Sequence, residues 1–121
     1  MVKLSDEAKQ LIQTIHPGIV ASATRNGMPN VSPKGSFQVL DDEHVLFANI
    51  HSPRTIENII ENPQVSAIVF DPATRHGCRI WGQAEVYQSG ELFDRVNSNL
   101  AARKMHASEV VVISVDEFTT F

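Results

Sequence analysis

Four consecutive residues, Ser52-Pro53-Arg54-Thr55, form the best candidate for an anion-binding site in this sequence. Serine followed by proline is typical of a helix start, where the missing N–H of proline costs nothing. The first N–H groups of a helix have no partners within it and can bind phosphate, and an arginine and hydroxyls beside them add hydrogen bonds. Capping explains the same residues without a ligand: Ser52 would cap the helix and Arg54 would be a solvated charge.

A second candidate lies at Ser32-Pro33-Lys34, within an otherwise apolar strand. Proline and the nearby Gly35 both weaken a regular ladder, so we expect a bulge or a strand edge there. Such a break would let the backbone approach a bound ring, with Lys34 supplying a positive charge. The alternative is a plain edge strand that Pro33 and Lys34 protect from aggregation.

A third candidate is the polar and aromatic face of the strand Cys78–Tyr87, which alternates with a face of small apolar residues. Arg79 and Trp81 lie on the polar face and could contact a flat ligand or a partner subunit. A solvated strand face is the alternative.

Composition excludes several classes of function. Ten Lys and Arg against fourteen Asp and Glu give a net charge of −4, without the basic excess that nucleic-acid binding needs. The five histidines and the single Cys78 do not have metal-ligand spacing, so we predict no metal site. No serine-hydrolase, P-loop or Rossmann motif is present.

The predicted location is the cytoplasm. One cysteine cannot form an intrachain disulfide, which favours a reducing compartment. The charged N-terminus does not resemble a signal peptide, and no apolar run reaches the ~18 residues that a membrane span needs. We therefore expect no contact with a membrane.

Six strands and three short helices are predicted, a pattern that indicates a mostly β, single-domain protein over residues 1–121. The predicted helices begin near Asp6, at Ser52-Pro53, and at Ser89, the last one running to about Lys104. Six strands are predicted, at Ile19–Thr24, Val31–Leu40, His44–Ile50, Val65–Phe70, Cys78–Tyr87 and Val110–Val115. Arg25-Asn26-Gly27 predicts a hairpin turn, and the short connections favour an antiparallel barrel or sandwich over a doubly wound sheet.

The order of four segments resembles the pyridoxamine 5′-phosphate oxidase-like flavoproteins, and in size the small FMN-binding proteins among them. These segments are Pro29–Phe37, Phe47-Ala48-Asn49, Ser52–Asn58 and Asn62–Ser66. The resemblance implies a six-stranded antiparallel split β-barrel with three short helices. It also implies a homodimer with FMN at the subunit interface.

The resemblance assigns roles to the candidate residues. Arg54 and Thr55 match the positions that hold the FMN phosphate, and Ser52 lies beside them. The residues expected along the ring and ribityl chain are Ser32, Pro33, Lys34, Ala48 and Asn49. Arg79 and Trp81 are expected to border the flavin from another strand, and Met105 or His106 to cover the ring from the partner chain.

The leading functional hypothesis is an FMN-dependent oxidoreductase or a flavin-mediated electron-transfer protein, with no protein general acid or base assigned. The alternatives are a non-catalytic flavin-binding or electron-carrier module and a cofactor-free interaction barrel. True pyridoxamine 5′-phosphate oxidases carry a C-terminal segment with Trp and Arg, whereas this sequence ends at Phe121. We therefore expect vitamin B6 oxidation not to be its reaction. The substrate and the electron donor are not predicted.

Overall fold

Three helices and seven strands make up the protein in a computed structural model that describes residues 1–121. The elements are α1 Asp6–Thr14, β1 Gly18–Ala23, β2 Pro29–Lys34, β3 Gln38–Asp41, β4 His44–Asn49, α2 Pro53–Glu61, β5 Gln64–Asp71, β6 His76–Tyr87, α3 Glu91–Ala101 and β7 Glu109–Thr120. All neighbouring strands are antiparallel, in the order β2-β1-β5-β6-β7-β4-β3. The fold is mostly β, as expected, and its sheet is curled into a half-barrel.

The count of six strands was wrong, because the predicted strand Val31–Leu40 is two strands. β2 pairs only with β1 and β3 only with β4, so β2 and β3 are the two edges of the sheet. In a flat seven-stranded sheet these edges would lie ~29 Å apart at about 4.8 Å per strand. Four Cα steps join Lys34 to Gln38 and span at most ~15 Å. The three intervening residues therefore require the sheet to curl until its edges approach each other.

Two side chains fix this break. Phe37 is 1% exposed and packs in the main core. Ser36 Oγ accepts a hydrogen bond from Ala48 N–H at 2.8 Å and lies 3.3 Å from Ala48 O. A side chain thus takes the place of a backbone partner at the end of β4, which brings the β2–β3 connection against that strand.

The hairpin turn between β1 and β2 is confirmed. Gly27 has φ of 92°, a value that favours glycine. Its N–H donates to Thr24 O at 3.0 Å, and Thr24 Oγ1 accepts from Met28 N–H at 3.0 Å. These bonds place Pro29 directly opposite Ala23, which sets the register of β2.

β4 is buried on both faces, as its apolar run predicts. Val45 and Phe47 pack into the main core, whereas Leu46 and Ala48 pack into a second cluster beneath α3. The strand ends at Asn49, which is 3% exposed. β4 therefore holds Ala48 and Asn49 rigidly beside the start of α2.

Two predicted boundaries need correction. α3 begins after Gly90 rather than at Ser89, because Gly90 adopts a φ of 104°, and it ends at Ala101 rather than Lys104. β7 continues past Val115 to Thr120. Its polar second half pairs with β6 as far as Thr120 opposite Cys78, a pairing that an apolar run cannot reveal. No helix is long and apolar enough to cross a membrane.

Candidate functional site

The start of α2 lies where sequence predicts it, but Ser52 does not cap the helix. Ser52 occupies the N-cap position, yet its side chain makes no capping hydrogen bond. Its Oγ lies 3.1 Å from Ser32 Oγ on β2 instead. Helix capping therefore does not explain why a serine stands at position 52. Its hydroxyl accepts no hydrogen bond from the first N–H groups of α2.

A cavity of about 270 Å³ lies at this helix start, and we call it the α2 cavity. Its lining is Asn30, Val31, Ser32, His51, Ser52, Pro53, Arg54 and Thr55. Thr55 is 1% exposed, and its Oγ1 accepts from Asn30 Nδ2 at 3.4 Å. Arg54 is exposed and forms no ion pair within the protein. The lining combines hydroxyl, amide and guanidinium groups with no carboxylate, a set suited to a phosphate.

A second cavity, of about 260 Å³, lies next to the first, and we call it the Lys34 cavity. It is lined by Pro33, Lys34, Gly35, Ser36, Ala48, Ile50, His51, Ser52, Leu100, Arg103 and Met105. His51 and Ser52 border both cavities. Seven of the predicted site residues thus line two adjoining cavities, and an eighth, Asn49, contacts Lys34.

Lys34 is a buried cation with few protein partners. It is 5% exposed, its Nζ donates to Asn49 Oδ1 at 3.1 Å, and Nζ lies 5.4 Å from the centre of the Phe47 ring. Burial lowers the pKa of Lys34 below its ordinary value. An ammonium can donate three hydrogen bonds, so a ligand acceptor in this cavity would offset part of the cost of burial.

Asn49 connects Lys34 to a carboxylate on another strand. Its Nδ2 donates to Glu109 Oε1 at 3.0 Å, and Asn49 and Glu109 are direct cross-strand partners between β4 and β7. Since the amide nitrogen faces Glu109, the amide oxygen faces Lys34. Glu109 therefore orients the group that holds the ammonium.

Arg79 and Trp81 do not reach these two cavities in the same chain. Trp81 is half-buried and lines a separate cavity with Pro29 and Ser66. The Arg79 guanidinium lies 5.5 Å from the centre of the Phe121 ring. The resemblance places Met105 or His106 over the ring from the partner chain, whereas Met105 lines the Lys34 cavity of its own chain.

Sequence reasoning missed three residues at this site: Asn30, Glu109 and Arg103. Asn30 stands two positions before Ser32, so the alternation of β2 could have indicated it. Glu109 enters through the register of β4 and β7, and Arg103 through the turn that ends α3. The structure contains no cluster of three or more His, Cys, Asp or Glu side chains suited to a metal ion.

Comparison with known families matches residues 4–120 to the family described as pyridoxamine 5′-phosphate oxidase. The chain belongs to this family. The resemblance carried by Pro29–Phe37 and Ser52–Asn58 is thereby confirmed. Membership in the pyridoxamine 5′-phosphate oxidase family supports the interpretation that the protein binds a flavin.

Individual relatives agree with the family match. An uncharacterised protein of Methanocaldococcus jannaschii is 35% identical over 95 residues, which cover 75% of this chain and 61% of that protein. A variant of HupZ from Group A Streptococcus is similar at 25% identity and a TM-score of 0.88, covering 97% of this chain and 98% of that chain. An FMN-binding protein from Syntrophomonas wolfei subsp. wolfei has a TM-score of 0.84 at 18% identity, covering 95% of this chain and 84% of that chain. The last likeness is one of fold alone.

Proposed function

We propose that this protein binds FMN, with the phosphate in the α2 cavity and the ring in the Lys34 cavity, and acts as an oxidoreductase. The observation that carries the proposal is the pair of adjoining cavities whose charged lining groups are all cationic. Family membership and the likeness to a fold described as FMN-binding support the same cofactor.

The α2 cavity suits a phosphate by the chemistry of its donors. The positive end of α2, the Arg54 guanidinium and the hydroxyls of Ser32, Ser52 and Thr55 all line one small space. Unpaired helix N–H groups and an arginine are the groups that proteins use for phosphate. The Ser32–Ser52 contact holds the two hydroxyls together before a ligand arrives.

The Lys34 cavity suits a ring that gains negative charge on reduction. Flavin supplies one- and two-electron chemistry, and the protein tunes it through nearby charges and hydrogen bonds. In this proposal Lys34 supplies the positive charge, while Asn49 and Glu109 hold its ammonium at the cavity wall. Ala48 contributes a small side chain that allows close approach of the ring.

We also propose a homodimer in which the partner subunit's Arg79 and Trp81 cover the flavin. Two observations support a covering chain. Val31 borders the α2 cavity and is 69% exposed, and Met28, in the hairpin before β2, is 62% exposed. Large apolar side chains exposed at neighbouring positions are typical of a surface that a partner covers. Sedimentation of a monomer would contradict this part of the proposal.

FMN titration of Arg54→Ala tests the phosphate assignment. Loss of a charge-assisted hydrogen bond to phosphate should weaken FMN binding about 10-fold to 100-fold. Arg25→Ala is the matched control, since the exposed Arg25 lies in the β1–β2 turn and lines neither cavity. Equal affinity of Arg54→Ala and wild type would reject the assigned phosphate site.

Stopped-flow mixing of the FMN-loaded protein with NADH or NADPH tests the oxidoreductase assignment. Rapid loss of the oxidised flavin absorbance is expected of an oxidoreductase. Reduction by neither donor would favour a non-catalytic flavin-binding or electron-carrier module instead.

A further inference from the structure

A cavity larger than the α2 and Lys34 cavities lies outside the proposed FMN site, and we call it the outer cavity. It has a volume of about 590 Å³. It is lined by the end of α1 and the loop after it, by the β2–β3 connection and the start of β3, and by α3 and the turn after it. Its polar lining residues include Gln13, His16, Gln38, Asn99 and Arg103. A volume in the range of about 300–1,000 Å³ is typical of small-molecule sites.

The outer cavity adjoins the Lys34 cavity. The two share Gly35, Ser36, Leu100 and Arg103 in their linings. A molecule in the outer cavity would therefore lie beside the group in the Lys34 cavity.

The charges around these three cavities are of one sign. Arg54, Lys34 and Arg103 line them, and no Asp or Glu does. The whole chain has fourteen acidic and ten basic residues, so the positive charge around the three cavities is opposite in sign to the net charge of the chain. A cleft lined by cations concentrates anions.

Arg103 is held at the boundary of the two cavities by the turn that ends α3. Its N–H donates to Leu100 O at 2.9 Å, and the N–H of Met105 donates to the same oxygen at 3.1 Å. Asn97 fixes the following loop through two hydrogen bonds with Ala107, of 2.7 and 3.3 Å. The guanidinium of Arg103 forms no ion pair within the protein. The turn thus presents a cation with no carboxylate partner to both cavities.

We propose that the outer cavity binds the anionic group of the molecule that exchanges electrons with the flavin, and that Arg103 is its main charged contact. This inference rests on the proposed function. FMN has one phosphate, and the proposed function assigns it to the α2 cavity, which shares no lining residue with the outer cavity. The Arg103 guanidinium therefore does not bind the FMN phosphate and can bind a second anionic group, either a carboxylate or a phosphate.

The test is an amide NMR titration of the FMN-loaded protein with inorganic phosphate and, separately, with succinate. Loading with FMN occupies the α2 cavity, so added anions report on the outer cavity. At least one of the two anions is expected to shift the amide resonances of Gly35, Gln38 and Asn99. The anion that binds more tightly shows whether the site prefers a phosphate or a carboxylate. In Arg103→Ala the dissociation constant for that anion should rise about fivefold.

Arg95→Ala is the matched control. Arg95 is an exposed arginine on α3 that does not line the outer cavity, and its removal changes net charge equally. Equal weakening in both variants, or shifts outside the outer cavity, would overturn the inference. The visible spectrum of the loaded protein separates the two claims: if FMN binds and Arg103→Ala behaves as wild type, only the anion site fails. If FMN does not bind, the proposed function fails as well.

Discussion

Replacing Lys34 with methionine is expected to stabilise the flavin-free protein by on the order of 1 kcal/mol at neutral pH, because an apolar side chain of similar volume avoids the cost of a buried charge. The substitution removes the hydrogen bond to Asn49 at 3.1 Å, worth roughly 1.5–3 kcal/mol. It also removes the contact with the Phe47 ring, worth about 0.5–1 kcal/mol. Against these losses, a buried ammonium carries a desolvation penalty of several kcal/mol. Desolvation by burial lowers the pKa of Lys34, and we expect this penalty to outweigh the two losses.

The pH dependence of stability gives an independent check. The pKa of Lys34 is lower in the folded chain than the ordinary value of 10.5, so the unfolded chain binds the proton more tightly. The free energy of unfolding therefore rises with pH between the folded pKa and the ordinary pKa, and Lys34 adds no slope at lower pH. Lys34→Met should lack this rise, whereas Lys3→Met, at an exposed position, should keep it.

Urea unfolding of the flavin-free wild type and the two variants, from neutral pH to about pH 10.5, measures both effects. Lys34→Met should also bind FMN more weakly, so stability and affinity should change in opposite directions. A Lys34→Met variant that is less stable than wild type at neutral pH, or that has the same pH profile of stability, would refute this explanation.

Two further variants test the fold that positions the site. Gly82→Ala should lower the free energy of unfolding, measured in urea, by about 2–4 kcal/mol, because a Cβ there would overlap the backbone oxygen of Ser114. Gly35→Ala is the control, since a Cβ there meets nothing within 4 Å, and its stability should be close to that of wild type. A small effect of Gly82→Ala would mean that β6 and β7 lie farther apart. Ser36→Ala should lower the free energy of unfolding by about 1–2 kcal/mol, because the buried Ala48 N–H loses its hydrogen-bond acceptor. Ser98→Ala, on the exposed face of α3, is the control and should lower it by less than about 0.5 kcal/mol. Equal stability of these two serine variants would contradict the role given to Ser36.

Local signals predicted those parts of the fold that local chemistry determines. The Ser-Pro pair predicts the start of α2, Asn26-Gly27 the hairpin, and the alternation of Cys78–Tyr87 a strand with one buried face. Pro33 and Gly35 predict an interruption near Lys34, but they do not predict that one strand ends at Lys34 and another begins at Gln38. Burial of Phe37 and closure of the sheet determine that break, and both depend on strands distant in sequence.

The candidate site divides in the same way. The prediction that Arg54 and Thr55 lie together at a helix start needs only the local sequence. The partner of Ser52 is Ser32, twenty residues away, and this long-range contact replaces the capping bond that local sequence favours. Glu109 meets Asn49 only through the β4–β7 register. The roles of Arg79 and Trp81 stay predictions, since neither residue lines the α2 or the Lys34 cavity of its own chain.

The most direct test of FMN binding is the visible absorption spectrum of the purified protein, followed by mass analysis of the compound released on denaturation. Flavin absorbance and a released compound with the mass of FMN are the predicted result. A colourless protein that gains no flavin absorbance when FMN is added and excess is removed would contradict the account.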